Sequence, residues 1–325
     1  MRIISTFLLI IACVNAFAIE VPLYRKGIEA YTLGEYRQAI EFLKESVQEE
    51  PLGLDYLENS RLYLGFAYSK LGLYEEGLQQ YEKVLLINPR NEKASCGLGS
   101  AQLQLSRYEA SVEEFSRIIS IYPRASCAYH GRARVHGILQ EWELAVDDFS
   151  RTLNIDYRNA AAFMGRGASF FSLGKYAEAL EDFEEAILIN PGHAFGYSGA
   201  GFSSYITKNY SSAFAYFNQA IGKLFSTDND YIMFMYLASE FQGEDGINSI
   251  LYQVKAADLA IWPGKILQYF TGEIGIEELK HSWEQESDTQ VREERECMVN
   301  FAIAEIRFLK NIKDSTKELY LSCIK

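Results

Sequence analysis

An aromatic residue returns along this chain at a fixed interval. It stands at Tyr36, Tyr74, Tyr108, Trp142, Tyr176 and Tyr210, with successive spacings of 38, 34, 34, 34 and 34 residues. Nine residues before each comes a small residue: Gly27, Gly65, Gly99, Ala133, Gly167 and Gly201. Three residues after each comes another: Ala39, Gly77, Ser111, Ala145, Ala179 and Ala213. Leu43, Tyr81, Phe115, Phe149, Phe183 and Phe217 then follow in phase. Self-similarity at one period means that each stretch repeats one supersecondary unit, which hides its apolar faces only by stacking on its neighbours.

The clearest copy is residues 160–193. Its first half places Phe163, Gly167, Phe170 and Phe171 at the three- and four-residue spacings of an amphipathic helix. Its second half does the same with Tyr176, Ala179, Leu180, Phe183, Ala186 and Ile187. Gly174-Lys175 joins the two and Asn190-Pro191 closes the unit. Pro51, Pro89, Pro123 and Pro191, four of the six prolines, end the second helix at the same offset. Proline has no N–H to give a helix interior, so it punctuates each copy. Tyr157 and Phe225 replace that proline in copies four and six, and Ser106, Gln140 and Lys208 replace the turn glycine.

The 34-residue period and the small-aromatic-small-aromatic-proline order resemble the tetratricopeptide (TPR) repeat family. The resemblance covers residues 20–227 in six copies: 20–53, 58–91, 92–125, 126–159, 160–193 and 194–227. Leu54 to Leu57 is a four-residue insert between copies one and two. The implied fold is all-α, a right-handed superhelical solenoid of helix-turn-helix units. Residues 228–325 continue the helical pattern in degenerate form and are expected to cap the last apolar face. Residues 230–242 and 246–261 read as a seventh hairpin, Ile276 to Glu286 as a further helix, and the stretch from Val291 as an eighth hairpin. The run WPGKILQYFTGEIGIEEL with RECMVNFAIAEIRFL resembles the C-terminal part of bacterial envelope TPR lipoproteins. That likeness implies an adaptor for cell-wall hydrolases and proteases.

The TPR resemblance also implies a function: protein or peptide binding, without catalysis, in a concave groove lined by the first helix of each hairpin. Carried over position by position, the expected lining includes Tyr24 and Ile28 of copy one, Leu62, Phe66 and Lys70 of copy two, and Lys93 and Leu103 of copy three. His130 and Arg134 follow in copy four, Met164 in copy five, and Phe195 and Phe202 in copy six. The alternative for several aromatics, above all Tyr31, Phe171 and Tyr205, is a place in the core of the next interface. Lys70, Lys93 and Arg134 are the charges of this lining, and no Asp or Glu joins them although the formal net charge is −13. A trough with apolar ends and a basic centre suits a peptide carrying hydrophobic anchors and a carboxylate. Leu62/Phe66, Cys96/Ser100 and His130/Arg134 stand where TPR domains that grip chaperone C-termini carry Lys and Asn, so that specificity is not expected.

The acidic balance and the lack of a basic stripe argue against a nucleic-acid partner. With four histidines and no HExxH, Walker or GxSxG motif, neither an active site nor a cofactor, metal or small-molecule substrate is expected. The rival is a cryptic catalytic site around Trp262 to Glu286, with His281 as its base. Asp147-Asp148 and Glu184-Glu185 are expected to be solvated charges on the outer face.

Residues 1–18 carry Arg2, an apolar core from Ile3 to Val14 and the small-x-small ending Ala16-Phe17-Ala18, the pattern of a signal peptide. Cleavage after Ala18 predicts a periplasmic or secreted protein. Ile10-Ile11-Ala12-Cys13 resembles a lipobox and would instead make Cys13 the acylated end of a membrane-anchored lipoprotein. Four further cysteines follow. Cys297 and Cys323 come level if their segments form an antiparallel hairpin, which makes a bridge between them one of two readings. Cys96 and Cys127 would lie on adjacent first helices, a weaker basis for a bond, and the other reading of all four is as unbridged small core residues.

Overall fold

The computed structural model describes residues 23–48, 53–221 and 274–284, with single positions between 265 and 303. Thirteen helices are described. The first, α1, spans residues 23–32. Next come α2 (Tyr36–Gln48), α3 (Leu54–Lys70), α4 (Tyr74–Ile87), α5 (Glu92–Gln104), α6 (Tyr108–Ile121), α7 (Ser126–Ile138) and α8 (Trp142–Ile155). The rest are α9 (Ala160–Ser172), α10 (Tyr176–Ile189), α11 (Ala194–Ile206), α12 (Tyr210–Ile221) and α13 (Ile276–Glu284). Odd-numbered helices from α1 to α11 are the first (A) helix of each hairpin and even-numbered ones to α12 the second (B). The recurring aromatic opens every B helix. The insert Leu54 to Leu57 is not a linker: it extends α3 to 17 residues, against 13 in α5, α7, α9 and α11.

The hairpin turns explain why three copies dispense with glycine. In copy five, Gly174 has φ 74°, its N–H donates to Phe171 O at 3.0 Å, and Lys175 N donates to Phe170 O at 2.9 Å. This pairing closes a helix through one left-handed residue. Ser106, Gln140 and Lys208 adopt the same conformation with φ of 58°, 60° and 63°. The pairing is kept, with Gln140 N to Gly137 O and Glu141 N to His136 O at 3.2 and 2.8 Å. Stacking of the hairpins thus holds three non-glycine residues in a region that costs roughly 1–2 kcal/mol each. Asn91 and Asn159 start the next A helices by accepting from the N–H of Ala94 and Ala162 at 2.8 and 3.0 Å.

The described chain divides into two compact units, Met1–Tyr157 and Arg158–Lys325. In the first, helices pack in consecutive order from α2 through α8, and α3 with α5 and α5 with α7 also touch directly. In the second, α9 packs on α10, α10 on α11, and α11 on both α12 and α9. Each unit is therefore two-layered, with A helices side by side.

At the joints of Tyr81 and Phe115 the core is one B-helix ring pressed between two glycines. A methyl group added at Gly65 of α3 or at Gly97 of α5 would lie 2.6 Å from the ring of Tyr81. One added at Gly99 would lie 2.8 Å from Phe115, and one at Gly131 of the next A helix would overlap the same ring. In the second unit Gly199 faces Phe183 and Gly201 faces Phe217 in the same way. The rings of Phe115 and Phe217 are fully buried, and burial of such a ring contributes roughly 1.5–3 kcal/mol. The periodic small residue marks only the near wall. The far wall is a second glycine at the sixth position of the following A helix: Gly97, Gly131 and Gly199. At the first joint Leu43 takes the ring's place, and the bulkier Tyr63 packs there where later copies have glycine.

Two substitutions test this geometry by urea unfolding. Gly97→Ala is expected to cost roughly 1–3 kcal/mol, because the Tyr81 ring has no room to retreat. Gln140→Gly is expected to stabilise by roughly 0.5–1 kcal/mol, because glycine meets no steric penalty at positive φ. A neutral Gly97→Ala or a destabilising Gln140→Gly would contradict the packing described.

Candidate A-helix binding face

The residues expected to line a groove divide once burial is known. Leu62 and Leu103 are each 4% exposed and belong to core clusters with Tyr81 and Phe115, so neither is available to a partner. Tyr24, Ile28, Phe66, His130, Met164 and Phe202 are half-buried. Lys70, Lys93, Arg134 and Phe195 are exposed, Phe195 at 48%. The packing alternative holds for the three aromatics singled out for it. Tyr31 and Phe171 pack against core clusters and Tyr205 is buried.

In the first unit the half-buried aromatics form one continuous group. Tyr31 meets Tyr63 and Phe66 at ring-centroid distances of 5.4 and 6.2 Å, and Phe66 in turn meets Tyr63 and Tyr81 at 5.9 and 5.8 Å. Tyr24 stacks edge-on against Tyr56 at 5.5 Å. Burial, reinforced by neighbouring phenols, raises the pKa of Tyr24 and Tyr31, so both stay neutral hydroxyls. Farther along, Lys70 ends α3, Lys93 lies in the first turn of α5 and Arg134 follows His130 by one turn of α7. None of these three cations makes an ion pair with a carboxylate among the described residues.

His130 is a packing residue. Its ring lies edge-on to Phe149 at 5.5 Å, and its buried Nδ1 has no hydrogen-bond partner among the described residues. Burial, with a contribution from Arg134, lowers its pKa from 6.5 to about 4, so it is neutral at pH 7. In the second unit Phe202 packs on Phe217 at 5.1 Å, while Phe195 touches Phe183 at 6.0 Å and still exposes nearly half its surface.

Three features were ranked low or missed in the sequence. The first is a disulfide between Cys96 of α5 and Cys127 of α7, with Cα atoms 6.2 Å apart. The bond therefore forms where the sequence offered the weaker argument. It joins the fifth position of one A helix to the second position of the next, which come level when A helices lie side by side. Cys297 and Cys323 lie outside the described residues, as do the signal segment and Cys13. The second is a pair of buried Arg–Asp bridges. Asp148 is 5% exposed and accepts from Arg132 Nε and Nη2 at 2.7 and 2.9 Å. Asp182 accepts from Arg166 at 2.8 and 2.7 Å, one repeat later. Asp148 is thus not a solvated outer-face charge, although Asp147, Glu184 and Glu185 are exposed. The bridge raises the pKa of Arg132. The 16-residue Arg-to-Asp interval, repeated in register, was the available signal.

The third concerns histidine. His136 Nδ1 contacts Glu141 at 2.6 Å and its Nε2 lies 3.8 Å from Asp148, so it belongs to this charge network. His281 is exposed on α13, with Glu284 of the same helix 3.8 Å away. No helix among the described residues is long and apolar enough to cross a membrane.

Two-layered stacks of helix-turn-helix units with a half-apolar, cation-bearing A face define a helical repeat protein. Residues 64–126 and 160–193 match models described as tetratricopeptide repeat, and these segments are tetratricopeptide repeats. Proteins built from this repeat are generally non-enzymatic scaffolds that bind protein partners. A solved tetratricopeptide repeat protein from Parabacteroides merdae is 17% identical over 94% of this chain and 99% of its own, with a TM-score of 0.52. A thermophilic TPR protein of Thermus thermophilus is 20% identical over 56% of this chain and 98% of its own, at 0.46. MamA is 22% identical over 49% and 94%, at 0.44. The first of these likenesses shows the fold. No curated protein sequence matches the chain.

The His130 environment yields a pH prediction. Its folded pKa lies below the unfolded value, so the unfolded chain takes up a proton first as pH falls. The stability due to neutral His130 is present above pH 6.5 and is lost as pH falls from 6.5 to about 4. The loss is up to about 3 kcal/mol. A His130→Phe variant is expected to show a shallower decline across that window in urea unfolding. An unchanged slope would place the imidazole in water.

Proposed function

We propose that this chain is a scaffold or adaptor of the cell envelope or secreted space, one that holds a peptide or helix of a partner protein along its A-helix face. The observation carrying this reading is the charge segregation there. Lys70, Lys93 and Arg134 stand exposed and without ion pairs among the described residues, in a chain of net charge −13 whose same face carries a half-buried aromatic group. Aromatic rings offer apolar anchor points at little entropic cost, and a row of unpaired cations favours a carboxylate-bearing ligand. The expected partner segment presents hydrophobic residues to Tyr24 and Phe66 of the first unit, with an acidic group toward Lys70, Lys93 and Arg134 of the same unit; Phe195 is an exposed anchor point of the second unit. Support for export comes from the pattern of residues 1–18 and from the Cys96–Cys127 bond, since disulfides persist in oxidising compartments.

A second reading, favoured by Ile10-Ile11-Ala12-Cys13, keeps the same face and tethers the protein to a membrane through acylated Cys13, as an adaptor for cell-wall hydrolases or proteases. The mass of the mature N-terminus separates the two.

Affinity capture from an envelope fraction tests the face itself. Arg134→Ala and Phe195→Ala each remove an exposed group, so their melting temperatures are expected to stay within about 2 °C of the parent. Each is expected to weaken capture roughly five- to thirtyfold. Full capture by both variants would move the binding surface elsewhere.

A further inference from the structure

We propose that the Cys96–Cys127 bond is a redox-sensitive clasp on the binding face. It rests on the reading of that face as the partner site. Three observations carry it. The bond joins α5 to α7 through A-face positions, between the turns that carry Lys93 and Arg134, the two cations of adjacent repeats. Its two ends differ in access: Cys127 is exposed while Cys96 is 9% exposed. The packing of the same two helices also has a part apart from it. Phe115 is held between Gly99 of α5 and Gly131 of α7, and Leu103, Ile118, Ala125, Ala128 and Val135 share that cluster with Cys96 itself. Opening the bond therefore frees the A-face edge of the joint while its ring-and-glycine core stays closed. At the equivalent place in copies one and two, Tyr24 stands opposite Asn59, and no covalent bond is available.

The chemistry uses a dithiol as reductant. One of its thiolates attacks the exposed Sγ of Cys127, the Cys96–Cys127 bond breaks, and Cys96 leaves as a thiolate that takes up a proton. The second thiol of the reductant then attacks the mixed disulfide. This releases Cys127 as a thiol and the reductant as its own disulfide. Two thiols in the protein and one oxidised dithiol balance the exchange. In the reduced state α5 and α7 separate at the edge carrying Lys93 and Arg134, so the spacing of the two cations is no longer fixed.

Amide hydrogen exchange on the purified full-length protein, with and without dithiothreitol, tests the clasp directly, with Cys96→Ser as an independent open form. Protection within Glu92–Gln104 and Ser126–Ile138 is expected to fall about tenfold in both open forms, while α3, α4 and α9 to α12 keep theirs. Unchanged protection in α5 and α7 would overturn the proposal. So would loss of protection throughout the first unit, which would make the bond a general staple. In a second arm, acidic peptides selected from a random library on the oxidised protein are expected to bind at least fivefold more weakly after reduction. Equal affinity in both states would overturn the regulatory role. Failure to select any peptide counts against the binding-face reading, and the exchange data still decide the clasp.

Discussion

The middle joints of the first unit depend on a flat ring finding two surfaces without side chains. Tyr81 and Phe115 occupy gaps in which even a methyl group on either glycine would collide with the ring. Protein interiors are packed too tightly to absorb such a change. The ring consequently sets the separation of one hairpin from the next. Since the near glycine sits at one register position and the far glycine two positions earlier in the following copy, that separation recurs wherever the residues recur. The A face is a by-product of this spacing, for its side chains are those the ring-and-glycine joint does not use.

Two kinds of reinforcement are laid over the joint. The Arg132–Asp148 and Arg166–Asp182 bridges tie an A helix to its own B helix from inside. Copies two and three have Leu64 and Leu98 where these arginines stand, so the ionic ties are local additions to a fold that forms without them. A buried ion pair stabilises little against an apolar substitute, yet breaking one is costly. The Cys96–Cys127 bond is also local, and it joins one A helix to the next at their exposed edge. The first kind of tie has its carboxylate buried and its arginine partly exposed. The second is open to solvent at Cys127 and so to chemistry.

Register made the helices legible. Every B helix from α2 to α12 begins at the periodic aromatic, and the non-glycine turns at Ser106, Gln140 and Lys208 take the backbone of the glycine they replace. What the register could not reveal was depth. Leu62 and Leu103 sit at positions that the family pattern places on the face, but their side chains turn into the core of the adjacent joint. Asp148 looked solvated because it adjoins Asp147, and only the arginine sixteen residues before it shows otherwise. The disulfide was weighed against a hairpin argument for Cys297 and Cys323, although Cys96 and Cys127 are the pair that the side-by-side A helices bring level. The stretch Leu54 to Leu57 read as a spacer because the period skips it. Its residues are nonetheless a full helical turn, which the chain uses to lengthen α3.

The most direct test of the central claim is a double-mutant cycle across one joint, using Gly131→Ala, Phe115→Leu and the two together, with stability measured by urea unfolding. If the ring and the glycine fit each other, the smaller leucine makes room for the added methyl, and the double variant is more stable than the sum of the single losses by roughly 1–2 kcal/mol. Strict additivity would mean that the two residues do not share one gap, and the account of how these hairpins are spaced would fail.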